Sequence, residues 1–146
     1  MEVVNILKKL GTFKDFSDNS LKLVFSNEHN SIIEMSLLSN KEGIDNLCVP
    51  SFHFCNLGCK MCHLTNNKLN KKMIPINIDD FLEALIRTVT VNRKRRTKNK
   101  KLLVSFMGVG EPLLNLKLIQ EIYLNEYILK KRLKYEDICF YNYAKQ

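Results

Sequence analysis

Three cysteines within eight residues place the tightest constraint on how this 146-residue chain can fold. Cys55, Cys59 and Cys62 have C-x3-C-x2-C spacing and follow the strand-like stretch 47–54. Thiols this close in sequence can converge on one small inorganic centre without long-range folding, and an iron–sulfur cubane normally takes four thiolates. The spacing therefore predicts a loop that holds a cluster through three ligands and leaves one iron free to bind a substrate.

Zinc is the leading alternative for the same thiols. A zinc site takes four ligands, and His53 or His63 is available as the fourth. Zinc sites of this kind usually use two separated cysteine pairs, whereas this chain has no second pair and Cys139 lies far along the sequence. An odd total of five cysteines argues against a disulfide framework and favours a reducing compartment. An iron–sulfur cluster is therefore favoured over zinc and over buried structural thiols.

Composition indicates a globular protein of one ordinary domain. The hydrophobic fraction is 45% and the mean hydropathy is −0.18. No apolar run approaches the ~20 residues of a membrane span, and the first residues lack a signal-peptide pattern. We therefore expect a cytoplasmic location and no membrane partner.

Positive charge is concentrated in one segment, residues 93–101. The formal net charge is +8, and seven positive charges without an acid lie in this segment, so the remainder of the chain is nearly neutral. The charged residues are Arg93, Lys94, Arg95, Arg96, Lys98, Lys100 and Lys101. The segment is consistent with a solvated loop between a helix and a strand, and equally with a contact to the phosphate backbone of RNA.

The hydrophobic pattern predicts an α/β fold with an N-terminal β extension. Residues 1–45 contain a short helix over 3–10 and a hairpin of strands 21–25 and 31–38. Residues 46–146 alternate between strands, at 47–54, 101–107 and 137–141, and helices, at 81–91 and 113–134. This alternation predicts about three parallel βα units, with functional loops at the carboxyl ends of the strands.

The turn after the second of these strands reads Gly108-Val109-Gly110-Glu111-Pro112. Glycine lets a ligand approach the backbone closely, and a carboxylate at a strand end can accept hydrogen bonds from an ammonium group. A simple helix-starting turn is the alternative, since proline suits the first helical position. Its expected position beside the cysteine loop favours the functional interpretation.

Together these two segments resemble the radical S-adenosylmethionine (SAM) superfamily. More narrowly, the chain is similar to the radical SAM methyltransferases that modify carbon 2 or carbon 8 of an adenosine in ribosomal RNA. The matching stretches are Leu-Cys-Val-Pro-Ser at 47–51 leading into the cysteine motif, and Phe-Met-Gly-Val-Gly-Glu-Pro-Leu-Leu-Asn at 106–115. The preceding strand pair also matches in order, and the similarity covers roughly residues 20–140.

The resemblance implies a role for each matching residue. Cys55, Cys59 and Cys62 would hold a 4Fe–4S cluster, SAM would bind its remaining iron, and Gly110 and Glu111 would bind the methionine amine of SAM. Cys48 matches a cysteine that helps to resolve a protein–RNA adduct, with a small apolar strand residue as the alternative. Glu34 matches a proton acceptor, with the exposed face of a hairpin strand as the alternative.

The resemblance also implies what the 146 residues lack. The family's partial barrel has six βα units, and its methyl-carrying cysteine lies near the C-terminus in a segment without a counterpart here. Cys139 is not that residue by position and is predicted to be a core strand thiol. We therefore expect an incomplete radical SAM partial barrel, C-terminally truncated, that binds the cluster and SAM and does not methylate RNA alone.

The expected partners follow from the same resemblance. They are ribosomal or transfer RNA through the segment 93–101, an electron donor such as flavodoxin or ferredoxin, and a second chain that completes the barrel. The alternative function is a non-catalytic RNA-binding or remnant protein with a structural cluster or zinc.

Overall fold

The computed structural model describes residues 6–40, 42–60, 62, 72–95 and 99–141, with the side chain of residue 95 excepted. Six strands form one sheet in chain order: β1 Lys8–Lys14, β2 Leu21–Ser26, β3 Ile32–Ser39, β4 Ile44–Cys48, β5 Lys101–Ser105 and β6 Asp137–Tyr141. The helices are α1 Ile78–Arg95, α2 Leu116–Leu124 and α3 Glu126–Leu133, and a 3-10 turn, Pro112–Leu114, precedes α2. In this described part of the chain, no helix is long and apolar enough to cross a membrane.

The sheet combines two kinds of pairing. Strands β1 to β4 pair antiparallel, whereas β4, β5 and β6 pair parallel. Parallel neighbours need a crossover, which α1 supplies between β4 and β5 and α2 with α3 supply between β5 and β6. The α/β class predicted from the sequence, a hairpin extension followed by about three strand–helix units, is confirmed.

The two faces of the sheet have different surroundings. On one face, alternate strand residues such as Met35, Leu47 and Val104 are fully buried against the helices in a single apolar core. On the opposite face, a register row across β3 to β6 consists of Ser36, Cys48, Ser105 and Tyr141, of which Ser105 is buried and the other three are partly or fully exposed. This open face ends at the strand termini where the loops of interest begin.

Several element boundaries differ from the sequence prediction. The predicted helix at 3–10 is wrong: Lys8–Lys14 is a strand, because pairing with the edge of β2 satisfies its backbone, and residues 1–5 lie outside the described part. The predicted strand 47–54 is β4, which begins at Ile44 and ends at Cys48. The basic segment is not entirely a loop, since α1 extends to Arg95.

The predicted single helix at 113–134 is also wrong, because it divides at Asn125. The Asn125 side chain donates a hydrogen bond to the Glu121 carbonyl (2.7 Å), and its backbone N–H reaches the carbonyls of Glu121 and Ile122. Asparagine competes in this way for backbone groups and therefore favours helix ends over helix interiors.

A buried carboxylate ties together the amino edge of the parallel strands. Asp45, on β4, is 1% exposed and accepts hydrogen bonds from Ser39 Oγ, Asn92 Nδ2, Asn99 Nδ2 and Tyr135 Oη. These donors come from β3, α1, the entry to β5 and the link from α3 to β6. Burial, together with the Asp45 carboxylate, raises the pKa of Tyr135, so this phenol stays protonated and donates.

Replacing Asp45 with alanine is expected to lower the free energy of unfolding by about 3 kcal/mol, because the buried donors lose their shared acceptor. Tyr135→Phe removes a single donor and is expected to cost about 1 kcal/mol. Urea denaturation followed by circular dichroism measures both changes. A loss below about 0.5 kcal/mol for Asp45→Ala, the usual range of a surface substitution, would contradict this role.

Candidate functional site

The cysteine loop and the glycine turn begin at neighbouring strand ends. Cys48 closes β4 and is the register partner of Ser105, which closes β5. Beyond these residues the two chains remain hydrogen-bonded: Val49 N–H donates to Ser105 O (2.9 Å), and Gly108 N–H donates to Val49 O (3.1 Å). Parallel pairing therefore places the two predicted functional segments side by side at the carboxyl edge of the sheet.

The glycines of the turn are required by the closeness of this contact. A Cβ at Gly108 would lie 2.9 Å from the backbone of Val49 and Pro50. Gly110 has φ +98°, and a Cβ there would lie 2.5 Å from the Phe52 ring and 2.8 Å from Ser51 Oγ. Between them, the Val109 carbonyl accepts hydrogen bonds from the N–H groups of Ser51 and Phe52.

The base of the cysteine loop is closed where the chain returns to the sheet. Phe52 forms a β-bridge with Pro75, and the N–H of Ile76 donates to Ser51 O (3.1 Å). The Asn115 side chain clamps both arms, since Nδ2 donates to Ser51 O (2.8 Å) and to Ile76 O (3.2 Å), while Oδ1 accepts from Leu118 N–H at the start of α2. The predicted motif included Asn115, but its sequence position indicated at most a helix cap.

The three predicted cluster ligands lie on this loop with accessible thiols. Cys55 and Cys62 are partly exposed and Cys59 is exposed. The N–H of Cys62 donates to Cys59 O (3.0 Å), so the last two cysteines share one tight turn. Among the described residues, no three cysteine, histidine or acidic side chains are gathered closely enough to hold a metal ion.

The donor set nevertheless fits a cluster chemically. Three accessible thiols on a short loop suit an iron–sulfur cluster, for which cysteine thiolate is the usual ligand. His53, a candidate fourth zinc ligand, has its Nδ1 3.0 Å from the Ile32 carbonyl, so that nitrogen carries the proton and donates. His63, the other candidate, lies outside the described residues.

Two polar side chains, those of Ser51 and Glu111, lie next to Gly110. Ser51 Oγ is buried and has no hydrogen-bond partner among the described residues. Glu111 is partly buried, and one of its carboxylate oxygens accepts from Leu113 N–H (3.1 Å). The Gly110 position therefore has an unpaired hydroxyl close to it and a carboxylate on the next residue.

Cys48 and Glu34 share the open face of the sheet. Cys48 pairs in register with Ser36, and Glu34 lies two residues before Ser36 on the same face of β3. Lys22 forms an ion pair with Glu34 (3.3 Å), and its charge also acts on Cys48. The Cys48 thiol lines a cavity of about 410 Å³ with Leu103, Met107 and Tyr141, among others, and Glu34 lines an adjacent groove of about 620 Å³.

Burial sets the protonation of the Cys48 thiol. It raises the pKa of Cys48 above the ordinary value, and the smaller effects of the Met107 N–H and of Lys22 oppose the rise. The prediction that Cys139 is a core thiol is wrong, because its side chain is exposed on β6, close to the Asp137 carboxylate (3.7 Å).

No protein-family model matches the chain. It is 34% identical over 99 residues to the dual-specificity RNA methyltransferase RlmN of Ruthia magnifica subsp. Calyptogena magnifica, covering 67% of this chain and 26% of that protein. It is 30% identical over 116 residues to RlmN of Campylobacter curvus, covering 71% and 30% respectively. The chain therefore spans about a quarter to a third of the length of these curated relatives.

A solved structure has the same fold. The crystal structure of a radical SAM methyltransferase from Sphaerobacter thermophilus superposes with a TM-score of 0.69 at 18% identity, covering 86% of this chain and 34% of that one. The resemblance inferred from the two motifs is confirmed by these comparisons. The roles inferred for Glu34, Cys48, Gly110, Glu111 and the three loop cysteines stay predictions.

Replacing Gly110 with alanine is expected to lower the free energy of unfolding by about 2–4 kcal/mol, because a positive φ and a close contact are both penalised. Gly58→Ala is the matched control, since Gly58 also has a positive φ (+70°) but has nothing within 4 Å of the added carbon. We expect about 1 kcal/mol there. Equal losses for the two variants, measured by urea denaturation, would contradict the close packing at Gly110.

Alkylation of Cys48 is expected to reach half its maximal rate at a higher pH in the folded chain than in the urea-unfolded chain. A raised pKa means that less thiolate, the reactive form, is present at a given pH. Iodoacetamide labelling over a pH series, resolved by peptide mass spectrometry, measures both profiles. The Lys22→Gln variant should shift the folded profile further upward, whereas a folded midpoint at or below the unfolded one would refute the assignment.

Proposed function

We propose that this chain, which belongs to the RlmN family of radical SAM RNA methyltransferases, is the cofactor-binding part of a radical SAM protein that acts on RNA. One observation carries the proposal: residues 49–52, which lead into the C-x3-C-x2-C loop, are hydrogen-bonded to the Gly-x-Gly-Glu-Pro turn at the carboxyl edge of the parallel strands. Ligands of open α/β sheets bind at this edge. The curated relatives carry the name RNA methyltransferase, which supports the substrate class.

Cys55, Cys59 and Cys62 are the proposed holders of a 4Fe–4S cluster. With the cluster and SAM bound, the chemistry supplied is one-electron reductive cleavage of the SAM sulfonium. Accessible thiols on one loop suit this role. An electron donor such as flavodoxin or ferredoxin is the proposed source of the electron. The cytoplasm is the proposed location, because it keeps such thiols reduced.

The glycine turn is the proposed site for the methionine end of SAM. The Glu111 carboxylate can accept hydrogen bonds from the ammonium group, and the partly exposed Gly110 presents backbone without a side chain next to it. The Glu111 carboxylate also accepts from Leu113 N–H and so caps the 3-10 turn Pro112–Leu114, which holds this side chain in place beside Gly110.

Two residues on the open face are proposed to act after SAM cleavage, in the steps that involve the RNA. Glu34 is the proposed proton acceptor, and Cys48 is the proposed thiol that resolves a protein–RNA adduct. Lys22 links the two electrostatically, since it pairs with Glu34 and favours the thiolate of Cys48. Burial keeps Cys48 protonated in the free chain, so its attack as a nucleophile requires loss of that proton first.

Methyl transfer is proposed to need more than these 146 residues. None of the five cysteines matches the family's methyl-carrying residue by position. A second chain that completes the barrel is the proposed partner, and ribosomal or transfer RNA is the proposed substrate. A non-catalytic RNA-binding protein is the second candidate, favoured by the exposed basic residues in the described part of the chain.

Anaerobic reconstitution with iron and sulfide tests the proposal. We expect the chain to take up iron and acid-labile sulfide, to gain the visible absorbance of an iron–sulfur cluster, and to release 5′-deoxyadenosine from SAM under reductant. The triple variant Cys55→Ala, Cys59→Ala, Cys62→Ala is expected to lose all three properties, because cluster ligation depends on the thiolates. Methyladenosine is not expected from the chain alone.

Cys139→Ala is the matched control, since this exposed thiol lies on β6 and is proposed to bind no iron. It should retain iron, sulfide and SAM cleavage at the level of the unmodified chain. Stoichiometric zinc in the purified chain, or a colourless reconstituted protein that binds RNA, would replace the proposal with the second candidate. Methyladenosine formed without a partner would show that the chain suffices for the whole reaction.

A further inference from the structure

The ends of two helices meet at the amino edge of the parallel strands, opposite the cysteine loop. Arg93, in the last turn of α1, donates from Nη2 to the Lys134 carbonyl (2.9 Å) just after α3, and its guanidinium lies 3.9 Å from the centre of the Tyr135 ring. The carbonyl of Lys100 accepts from the N–H of Glu136 (2.9 Å). Arg93 and Lys100, near the two ends of the basic segment, therefore lie against the chain that leaves α3.

The end of α3 carries a second group of cations. Its last turn contains Lys130, Lys131 and Arg132, and Lys134 follows. Lys130, the first of these residues, follows Lys101 by 29 positions, so no continuous run of charge in the sequence joins the two groups. We call the exposed cations Lys94, Lys131, Arg132 and Lys134 the basic edge.

Most of the neighbouring cations already have acidic or aromatic partners. Lys100 pairs with Glu136 (2.8 Å), Lys130 pairs with Glu126 (2.9 Å), and Arg93 is held by Lys134 and Tyr135. Within the described part of the chain, no ion pair joins a residue of the basic edge to an acid. A helix C-terminus carries only about half a negative charge. The dipoles of α1 and α3 therefore balance part of the positive charge of the basic edge, and the rest has no acidic partner within the described part of the chain.

An exposed aromatic ring accompanies these charges. Tyr127 is 70% exposed, and the Lys131 ammonium lies 5.2 Å from the centre of its ring. Cations that follow a phosphate backbone, with an aromatic ring on which a base can stack, are the usual components of a single-strand binding surface.

We propose that the basic edge binds the phosphate backbone of single-stranded RNA, as an anchor separate from the site of chemistry. This inference rests on the proposed function for its RNA partner. Each strand residue spans about 3.3 Å, so Lys101 and Ser105, at the two ends of β5, lie about 13 Å apart along the strand. RNA held at the amino edge therefore contacts the chain away from the cysteine loop, and phosphate contacts there fix position without reading sequence.

Binding of a short fluorescein-labelled single-stranded RNA of mixed sequence, followed by fluorescence anisotropy over a salt series, tests the proposal. We expect the triple variant Lys94→Gln, Lys131→Gln, Arg132→Gln to bind at least about tenfold more weakly at low salt. The slope of log K against log salt should fall by about 2, because each lost phosphate contact removes about 0.7 for a single strand. Lys94→Gln alone and the Lys131→Gln, Arg132→Gln pair should each account for part of this change.

The triple variant Lys8→Gln, Lys9→Gln, Lys14→Gln is the matched control. It removes three exposed charges from β1, at the opposite side of the sheet, and should leave the salt slope nearly unchanged. Thermal unfolding by circular dichroism verifies that both variants are folded. Equal weakening by the two variants would reduce the effect to net charge, and binding to an acidic protein such as flavodoxin without binding to RNA would also overturn the proposal.

The cluster variant Cys55→Ala, Cys59→Ala, Cys62→Ala separates this inference from the proposed function. RNA binding at the basic edge uses no cofactor, so this variant is expected to bind the labelled RNA as tightly as the unmodified chain. A chain that cleaves SAM but shows no salt-dependent RNA binding would overturn only the anchor. A chain that binds RNA through the basic edge but takes up no iron would overturn only the cofactor-binding role.

Discussion

The structure depends on the backbone contact between the chain that leaves β4 and the chain that leaves β5. Val49 accepts from Gly108, and the Val109 carbonyl accepts from Ser51 and Phe52. These bonds continue the parallel pairing beyond the strands, so the cysteine loop and the glycine turn are held at a fixed separation. Side chains larger than hydrogen at Gly108 or Gly110 would force the two segments apart.

The two edges of the parallel part of the sheet differ in structure. At the carboxyl edge, Asn115 and the Phe52–Pro75 bridge close the base of the cysteine loop. Ser51 Oγ there has no hydrogen-bond partner among the described residues. At the amino edge, the Asp45 carboxylate joins several elements in a buried network. Strands β4 and β5 are only five residues long and run from one edge to the other, so the network around Asp45 also helps to hold the strand ends at the carboxyl edge.

The open face of the sheet joins these two edges. Alternation along β3 buries Met35 and Leu37 against the helices while Glu34 and Ser36 face outward, and the pairing carries this division on to Cys48, Ser105 and Tyr141. The solved methyltransferase that shares this fold is about three times as long as the matched region.

The sequence by itself determined the class of fold, the strand at 137–141 and both motifs, because hydrophobic period, glycine and cysteine spacing are local properties. It did not determine that Lys8–Lys14 is a strand, that the helix breaks at Asn125 or that Cys139 is exposed, since each depends on pairing or packing with distant residues. Only the tertiary structure brought Asn115 to the carbonyls of Ser51 and Ile76, and α3 to the end of α1. Such contacts join residues tens of positions apart, and no local pattern encodes a hydrogen bond whose partner is fixed by the path of the whole chain.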